Sequence, residues 1–438
     1  MTGIEIGLAS LVGILVLIWT GMHVAIALAL VSFFGVWLLR DNPQIAARVL
    51  SLAAREGISS YLFGVVPLFV LMGLVVSRAD IAHDTFDVAN RAFRRVAGGL
   101  GIATVGANAI FAAITGISIA SAAVFAKVAV PEMVRAGHTA RFATGVVAGS
   151  SVLGMLIPPS LLMILYGILS EQSVGLLFMA GIGPGLLLAS AFGLGIYVMV
   201  RLSPGFTGRA TPQVLQPRSF GAAIADTGTK LLPILALIAL VLGGIYGGVF
   251  TPTEAGAIGA LGAIVIAFAK RRMNLRMLWR VTLEAGHITA SICFLIIAAT
   301  MYSRMLSMSG LPVFLTEWII GLDLGIYGFL AVFVLVLIIL GTILDSSSIM
   351  LITLPLVLPI AQQLGINLIW FGVITVLAVE IGLLTPPLGI SVYVIKSALD
   401  DPNVSLGDVF IGAAPFALIM LACLILVIAF PTIAIGIL

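Results

Sequence analysis

The side chain with the clearest potential chemistry is Asp345, a carboxylate that stands between the apolar segments IILGTIL and SSSIMLI. An ionisable group at the centre of a membrane costs about 2.5–3.5 kcal/mol on insertion scales, so a residue of this kind indicates function. Thr342 and Ser346–Ser348 place hydroxyl oxygens beside it. Asp345 could instead cap a helix by accepting backbone N–H bonds, and the two roles are compatible. We expect Asp345 to contribute to a cation site.

Two pairs of consecutive prolines provide the second kind of chemistry. Pro158–Pro159 lie in LIPPSL and Pro386–Pro387 in LTPPLG, and both pairs interrupt apolar segments. Proline removes a backbone donor and breaks the preceding helical turn, so carbonyl oxygens become free. Irregular backbone persists at membrane depth only where it lines a cavity or is buried in protein. We predict two Na⁺ sites, each formed by a Ser/Thr-rich segment and a proline break.

These residues belong to a chain with the composition of an all-α polytopic membrane protein. Of its 438 residues, 61% are hydrophobic and 9% are charged, and the mean hydropathy is +1.26. Soluble domains are about 45–50% apolar and about 25% charged. The sequence contains no glycine-rich phosphate loop ending in lysine, which argues against ATP as the energy source. Its four histidines and two cysteines are scattered, so no transition-metal site is expected.

The two halves of the chain are related by an internal repeat. Four short segments recur in the same order at nearly constant spacing, which a chance match of one segment would not produce. We therefore predict a first repeat over residues 1–200, a cytoplasmic linker over 201–230 and a second repeat over 231–438. The paired segments are VVSR and MYSR, ITGISIAS and GTILDSSS, LIPPSL and LTPPLG, and SVGLLF and SLGDVF.

The predicted topology has about ten spanning helices, two re-entrant helical hairpins and two broken helices. Most Lys and Arg residues fall on one face if each half contains five crossings and one hairpin, and that face is then cytoplasmic. An odd number of crossings inverts the second half relative to the first. Inverted repeats with discontinuous helices at corresponding positions indicate the binding site of a secondary transporter. The hairpin tips are predicted at Thr115–Ser121 and Thr342–Ser348, facing breaks at Gly154–Ser160 and Gly382–Gly389.

Three further ionisable residues lie in or beside apolar segments. Arg304 could pair with an anionic substrate near the hairpin tips, or its guanidinium could extend to the membrane surface. Its repeat equivalent, Arg78, has Asp80 nearby, which favours a local pair. Glu380 is compatible with either a structural or a functional role. The Ser and Thr clusters could likewise serve only to pack helices closely through small residues.

Several segments together resemble one family of membrane proteins. AITGISIASAAV, AGSSVLGMLIPPSLLMILYG, GGIYGGVFTPTEAGA, GTILDSSSIMLITLPL and GLLTPPLG are similar to the DctM-type large permease subunit of the tripartite ATP-independent periplasmic (TRAP) transporters. The resemblance extends over nearly the whole chain. It implies a Na⁺-driven importer of small organic acids in the bacterial inner membrane that works as an elevator. It also implies a small DctQ-type membrane subunit of four helices and a DctP-type periplasmic binding protein as partners, and no nucleic acid.

The same resemblance, with the residue-level reasoning, assigns roles to individual positions. The predicted first Na⁺ site consists of Ser118, Ser121, Gly154, Ile157 and Pro159. The predicted second Na⁺ site consists of Thr342, Asp345, Ser346, Gly382 and Thr385. The predicted substrate contacts are Arg304, Ser160, Ser348 and Gly389.

Three other functions are compatible with parts of this pattern. A cation-coupled carboxylate symporter or antiporter of the same architecture would work without a binding protein. An intramembrane hydrolase would need paired catalytic groups, whereas Asp345 has no histidine near it in the sequence. A passive channel is also possible, but paired hairpins suit alternating access better than a continuous pore.

Overall fold

The apolar segments fold as helices, which satisfy every backbone hydrogen bond within one segment. The structure is a computed structural model that describes residues 2–59, 61–93, 95–209 and 220–438. Within these ranges the chain forms twenty-two α-helices and one 3₁₀ turn. Six of the described helices are long and apolar enough to cross a membrane, or up to eight if each bent pair is one span, and several apolar helices are shorter. The prediction of an all-α polytopic membrane protein is confirmed.

The first half contains twelve helices before the gap at residues 210–219. They begin with a helical pair and an arm, and continue with a hairpin, a broken helix and a long helix. The helices are α1 (Gly3–Trp19), α2 (Val24–Arg40), α3 (Pro43–Ser59), α4 (Val65–Arg78), α5 (Ile81–Phe93), α6 (Gly99–Thr115), α7 (Ser118–Arg135), α8 (Ala140–Ser151), α9 (Leu153–Leu156), α10 (Leu161–Ser170), α11 (Val174–Leu202) and α12 (Pro204–Thr207).

The second half repeats this order of elements. A helical pair, an arm, a hairpin, a broken helix and a long helix follow one another again. Its helices are α13 (Phe220–Tyr246), α14 (Pro252–Ala269), α15 (Leu275–Ser309), α16 (Leu311–Gly321), α17 (Gly325–Gly341), α18 (Ser346–Gln363), α19 (Leu368–Leu383), α20 (Ile390–Leu399), α21 (Leu406–Ala429) and α22 (Thr432–Ile435). The helical pairs are α1–α2 and α13–α14, the arms are α3 and the first part of α15, and the hairpins are α6–α7 and α17–α18. The broken helices are α8–α10 and α19–α20, and the long helices are α11 and α21. The repeat bounds and the orientation of each half in the membrane stay predictions. Part of the predicted linker, residues 210–219, lies outside the described residues.

The arms differ between the halves. In the first half the arm is α3, and a 3₁₀ turn at Tyr61–Gly64 lies between it and α4. In the second half the arm and the following apolar helix are one continuous 35-residue helix, α15. The first-half junction contains Gly64 and Pro67, and proline and glycine both disfavour a continuous helix. The matching part of α15 has no proline.

The helices pack as two sets. The first set contains the helical pairs and the arms, with α2 against α15, α4 against α14, and α13 against α14. The second set contains the hairpins, the broken helices, α11 and α21. Within it, α8 and α21 cross at Gly145 and Gly412, where a β-carbon on either glycine would overlap the backbone of the other helix. Helix α7 packs against α8 and α17 packs against α19, so the hairpins and the breaks belong to the same packed set.

Helix α5 joins the two halves through ion pairs. The Asp84 side chain is only 2% exposed and binds Lys270 at 2.7 Å and Arg272 at 2.8 and 3.0 Å. At the end of α4, Arg78 pairs with Glu284 at 2.9 Å. The prediction that Arg78 pairs with Asp80 is therefore wrong. Sequence spacing favoured a neighbour, but the fold brings α15 alongside α4.

Candidate ion and substrate site

In the first half, the tip of the hairpin contacts the proline break directly. The turn between α6 and α7 has Gly116 at φ 62°, a conformation that favours glycine. The Gly116 carbonyl accepts a hydrogen bond of 3.1 Å from the backbone N–H of Leu161, which follows the break. A β-carbon on Gly116 would lie 2.5 Å from the Pro159 carbonyl oxygen, and one on Gly154 would lie 3.2 Å from the Ser118 nitrogen. Small residues therefore permit this close contact.

The second half makes the equivalent contact. The Thr342 carbonyl, at the tip between α17 and α18, accepts hydrogen bonds from the backbone N–H groups of Leu388 at 3.1 Å and Gly389 at 3.3 Å. A β-carbon on Gly382 would lie 2.6 Å from the Gly341 Cα. Gly382 occupies the place in the repeat that Gly154 has in the first half. Each tip thus lies against the break of its own half, as predicted.

Only some of the residues predicted for the first Na⁺ site contact one another. Ser118 and Ser121 are fully buried on the first turn of α7. Ser121 donates a hydrogen bond to Asn108 Oδ1, and Asn108 Nδ2 donates to Ser150 Oγ at 2.6 Å. The side chain of Ile157 lies near Gly185 of α11. The tip and break backbones of this site are in contact, whereas the hydroxyl of Ser121 is engaged with α6.

Predicted substrate contacts at the two breaks also have local partners. The Ser160 hydroxyl donates to the Met155 carbonyl at 2.5 Å and accepts from the Met163 N–H at 3.2 Å, so it caps α10. Gly389 has φ 54° and precedes α20. Substrate binding by these two residues stays a prediction.

At the second tip, Asp345 caps a helix. Its carboxylate accepts hydrogen bonds from the backbone N–H groups of Ser347 and Ser348, each at 3.1 Å, and from the Ser348 hydroxyl. This is the alternative role considered from the sequence. Capping is compatible with Na⁺ binding, because a carboxylate has about four acceptor positions and the cap uses three of them. Na⁺ binding by Asp345 stays a prediction.

The carbonyls before the second break are less free than the sequence suggested. The Ile381 carbonyl accepts from the Leu384 N–H at 3.1 Å and the Thr385 hydroxyl at 2.8 Å, and the Gly382 carbonyl accepts from the Thr385 N–H at 2.9 Å. The last turn of α19 tightens into i→i+3 bonds, a common way of pairing the carbonyls at a helix end. An ion at this site would use the remaining lone pairs of those oxygens.

Glu380 joins the two hairpins and was not assigned a role from the sequence. Its carboxylate oxygen Oε1 accepts hydrogen bonds from Ser118 at 3.4 Å and from Ser346 at 3.1 Å. These serines are the first residues of α7 and α18, one from each half. An ionisable residue within the apolar helix α19 was a usable signal, but its partners could not be identified from the sequence.

Arg304 pairs with Glu56 of α3 and lines a cavity of about 510 Å³. Hairpin 2 contributes to this cavity only with residues from the later part of α18, such as Pro359 and Gln362. No tip residue is among the residues that line this cavity, and the predicted approach of Arg304 to the tips stays a prediction. The other polar lining residues are Glu171, Thr300, Ser303 and Ser307.

Comparison with known proteins identifies the family. The model of one protein family, described as "Tripartite ATP-independent periplasmic transporter, DctM component", matches residues 11–433. The chain is 36% identical over 392 residues to the C4-dicarboxylate TRAP transporter large permease protein DctM of Pseudomonas aeruginosa, covering 89% of each chain. It is 32% identical to the Rhodobacter capsulatus protein of the same name, covering 97% of this chain and 96% of the relative. It is 29% identical to the sialic acid TRAP transporter large permease protein SiaM of Vibrio cholerae, covering 96% of each.

A solved structure supports the fold. The YdaH transporter of Alcanivorax borkumensis, described as having an unusual topology, aligns with a TM-score of 0.61 over 88% of this chain and 89% of its own. Its 16% sequence identity makes this a likeness of fold alone. The family is one of transporters, which confirms the prediction of a transporter rather than an enzyme. The chain belongs to the DctM family, the large permease component of tripartite ATP-independent periplasmic transporters.

Proposed function

We propose that this chain is the large membrane subunit of a Na⁺-coupled importer of a small organic acid. It lies in the bacterial inner membrane with a small four-helix subunit and receives its substrate from a periplasmic binding protein. The observation that carries the proposal is the repeated contact between hairpin tip and proline break. In one half the Gly116 carbonyl accepts a hydrogen bond from the Leu161 N–H. In the other half the Thr342 carbonyl accepts hydrogen bonds from the N–H groups of Leu388 and Gly389. Paired discontinuous segments of this kind are typical of ion-coupled transporter sites.

The proposed Na⁺ ligands are oxygens of each tip and break. Ser118, Gly154 and Pro159 contribute to the first site, and Thr342, Asp345 and Gly382 to the second. Backbone carbonyls and hydroxyls are hard oxygen donors, which suit hard cations. Among these proposed ligands, only Asp345 adds a formal negative charge. The second site is therefore the one whose affinity depends on a carboxylate.

The proposed mechanism is an elevator. The set of helices that contains both hairpins and both breaks would move as one body against the set that contains the arms. The close crossing at Gly145 and Gly412 supports rigidity within the moving set. The ion pairs of Asp84 support a fixed arm, because they hold α5 to the start of the second arm.

The substrate proposed for this chain is an organic anion. The names of several relatives specify C4-dicarboxylates, sialic acid or 2,3-diketo-L-gulonate. Arg304 supplies a guanidinium, whose paired donors match a carboxylate, and Ser303 and Gln362 line the same cavity. In this conformation the Arg304 guanidinium forms an ion pair with Glu56. Substrate would take the place of Glu56 as domain movement brings the tips and Arg304 together.

Uptake into proteoliposomes tests the proposal. The chain is reconstituted with its small subunit, and substrate uptake is measured under an inward Na⁺ or K⁺ gradient, with and without the binding protein. We expect uptake only with Na⁺ and the binding protein. Undiminished uptake in K⁺ would refute Na⁺ coupling. Uptake without the binding protein would instead favour a stand-alone carboxylate symporter.

A further inference from the structure

The second arm begins with a surplus of positive charge. The arm and the turn before it, residues 270–284, contain five basic side chains and one acidic side chain. The stretch in the same place of the first half, residues 40–56, contains three basic and two acidic side chains. The surplus therefore belongs to the second arm in particular, and it favours a negatively charged partner.

Part of this charge has no partner within the described residues. Two of the five basic side chains bind Asp84. The single acidic side chain, Glu284, pairs with Arg78 at 2.9 Å. The other three basic side chains are exposed and make no ion pair or side-chain hydrogen bond with any residue that the structure describes; they are Arg271, Arg276 and Arg280. Their guanidinium groups are available to a partner outside the chain.

Two of these arginines border an apolar stripe on α15. Leu275, Trp279 and Leu283 recur at every fourth position and are exposed, Leu275 by 77% and Trp279 by 65%. Residues four apart lie on one face of a helix. Arg276 and Arg280 directly follow the first two of these residues, so they form a row along one edge of the stripe. The side of the helix that packs inside the protein is a different one and contains Val281 and Ala285.

The length of α15 places the stripe at a membrane surface. At about 1.5 Å per residue, its 35 residues extend about 52 Å, whereas the hydrocarbon core of a bilayer is about 30 Å thick. Residues 285–303 contain no Asp, Glu, Lys or Arg and are long enough to cross that core. The residues before them then lie at the end of the span. Tryptophan is enriched at that depth, and an arginine side chain there can reach the lipid headgroups.

We propose that this face of the second arm binds anionic phospholipids. The three free guanidinium groups bind the lipid phosphates, and the apolar stripe contacts the adjoining acyl chains. Helices at the membrane interface typically have tryptophan and leucine on one face and basic residues beside them, and each basic residue near an anionic membrane adds to the attraction. The bound lipids hold the second arm at the membrane surface. The inference goes beyond the proposed function and depends on neither Na⁺ coupling nor the substrate.

Quenching of Trp279 fluorescence by brominated lipids tests the proposal. The complex of this chain with its small subunit is placed in phosphatidylcholine nanodiscs. These contain increasing fractions of phosphatidylglycerol or phosphatidylcholine with brominated acyl chains. The Trp279 signal is the difference between each protein and the same protein carrying Trp279→Phe. We expect brominated phosphatidylglycerol to quench this signal at a mole fraction about tenfold or more lower than brominated phosphatidylcholine does, because three charges contribute.

Triple variants test the part played by charge. Replacement of the three free arginines by glutamine should abolish the preference for phosphatidylglycerol, whereas their replacement by lysine should keep it, since lysine supplies the same charge. The matched control removes three positive charges from the first arm and should leave the Trp279 signal unchanged; it combines Arg40→Gln, Arg48→Gln and Arg55→Gln.

Three results would overturn the proposal. The first is equal quenching by the two lipids in the wild-type protein, a comparison that remains informative if the glutamine variant does not fold. The second is a preference for phosphatidylglycerol that survives the loss of the three arginines. The third is a Trp279 signal that neither lipid quenches, which would show that the small subunit covers this face instead.

Discussion

Gly341 and Gly382 lie so close that a β-carbon on Gly382 would be 2.6 Å from the Gly341 Cα. The first glycine ends the descending helix of the second hairpin, and the second lies in the last turn before the proline break. The proposed second Na⁺ site depends on this approach, because it brings the Thr342 carbonyl to the backbone after the prolines. A β-carbon would have to separate the two elements.

We predict that Gly382→Ala abolishes most Na⁺-dependent uptake. Overpacking of a close backbone contact costs about 1–3 kcal/mol and moves the backbone. The matched control is Gly193→Ala in α11, where a β-carbon would meet nothing within 4 Å. The measurement is uptake against Na⁺ concentration in proteoliposomes containing equal amounts of protein. Equal Na⁺ dependence in both variants would show that the Gly341–Gly382 contact is not needed.

The Asp345→Asn variant separates capping from ion binding. Asparagine caps helices about as well as aspartate, so α18 should keep its start. Loss of the charge should raise the Na⁺ concentration for half-maximal uptake by about tenfold or more, equivalent to about 1.4 kcal/mol. The control is Asn367→Asp, which caps α19 away from the tips. An unchanged Na⁺ dependence in Asp345→Asn would remove its charge from the site.

Substitutions of Arg304 and Glu56 should change the KM for substrate in opposite directions. Arg304→Ala should raise KM for substrate about tenfold or more, because a charged contact is lost. Glu56→Gln should lower KM, because the proposed substrate has to displace Glu56 from Arg304. Arg78→Ala is the control, since Arg78 is the repeat equivalent and pairs with Glu284. A KM in Arg304→Ala equal to that of wild type would place the substrate elsewhere.

Asp84 should matter for stability more than any exposed ion pair. Asp84→Ala leaves Lys270 and Arg272 without their buried partner, and we expect a cost of about 3 kcal/mol, at the low end for a buried pair because both cations are partly exposed. Glu284→Ala removes the more exposed pair with Arg78, worth about 1 kcal/mol or less. Thermal unfolding of the purified complex in detergent should show a clear loss of Tm only for Asp84→Ala. Similar Tm values would indicate that α5 is not anchored by this cluster.

The turns of the hairpins and the helix breaks could be predicted because their signals are local. Two consecutive prolines interrupt a helix, and Ser/Thr-rich tips between apolar segments mark turns. The capping role of Asp345 was also foreseeable, since its partners are two and three residues away.

Long-range partners could not be predicted in the same way. The Ser118–Glu380 contact joins residues 262 positions apart, and Arg78–Glu284 joins residues 206 apart. Such contacts depend on which helices pack together, which composition and spacing do not specify. The same reason explains why the pairing of Arg304 with Glu56 could not be predicted.

The entry of Na⁺ together with substrate is the measurement that tests the central claim most directly. Proteoliposomes with the small subunit and the binding protein are supplied with labelled substrate and labelled Na⁺. The account predicts Na⁺ entry that requires both substrate and binding protein and that falls in Gly382→Ala. Accumulation of substrate without any accompanying entry of Na⁺ would contradict it.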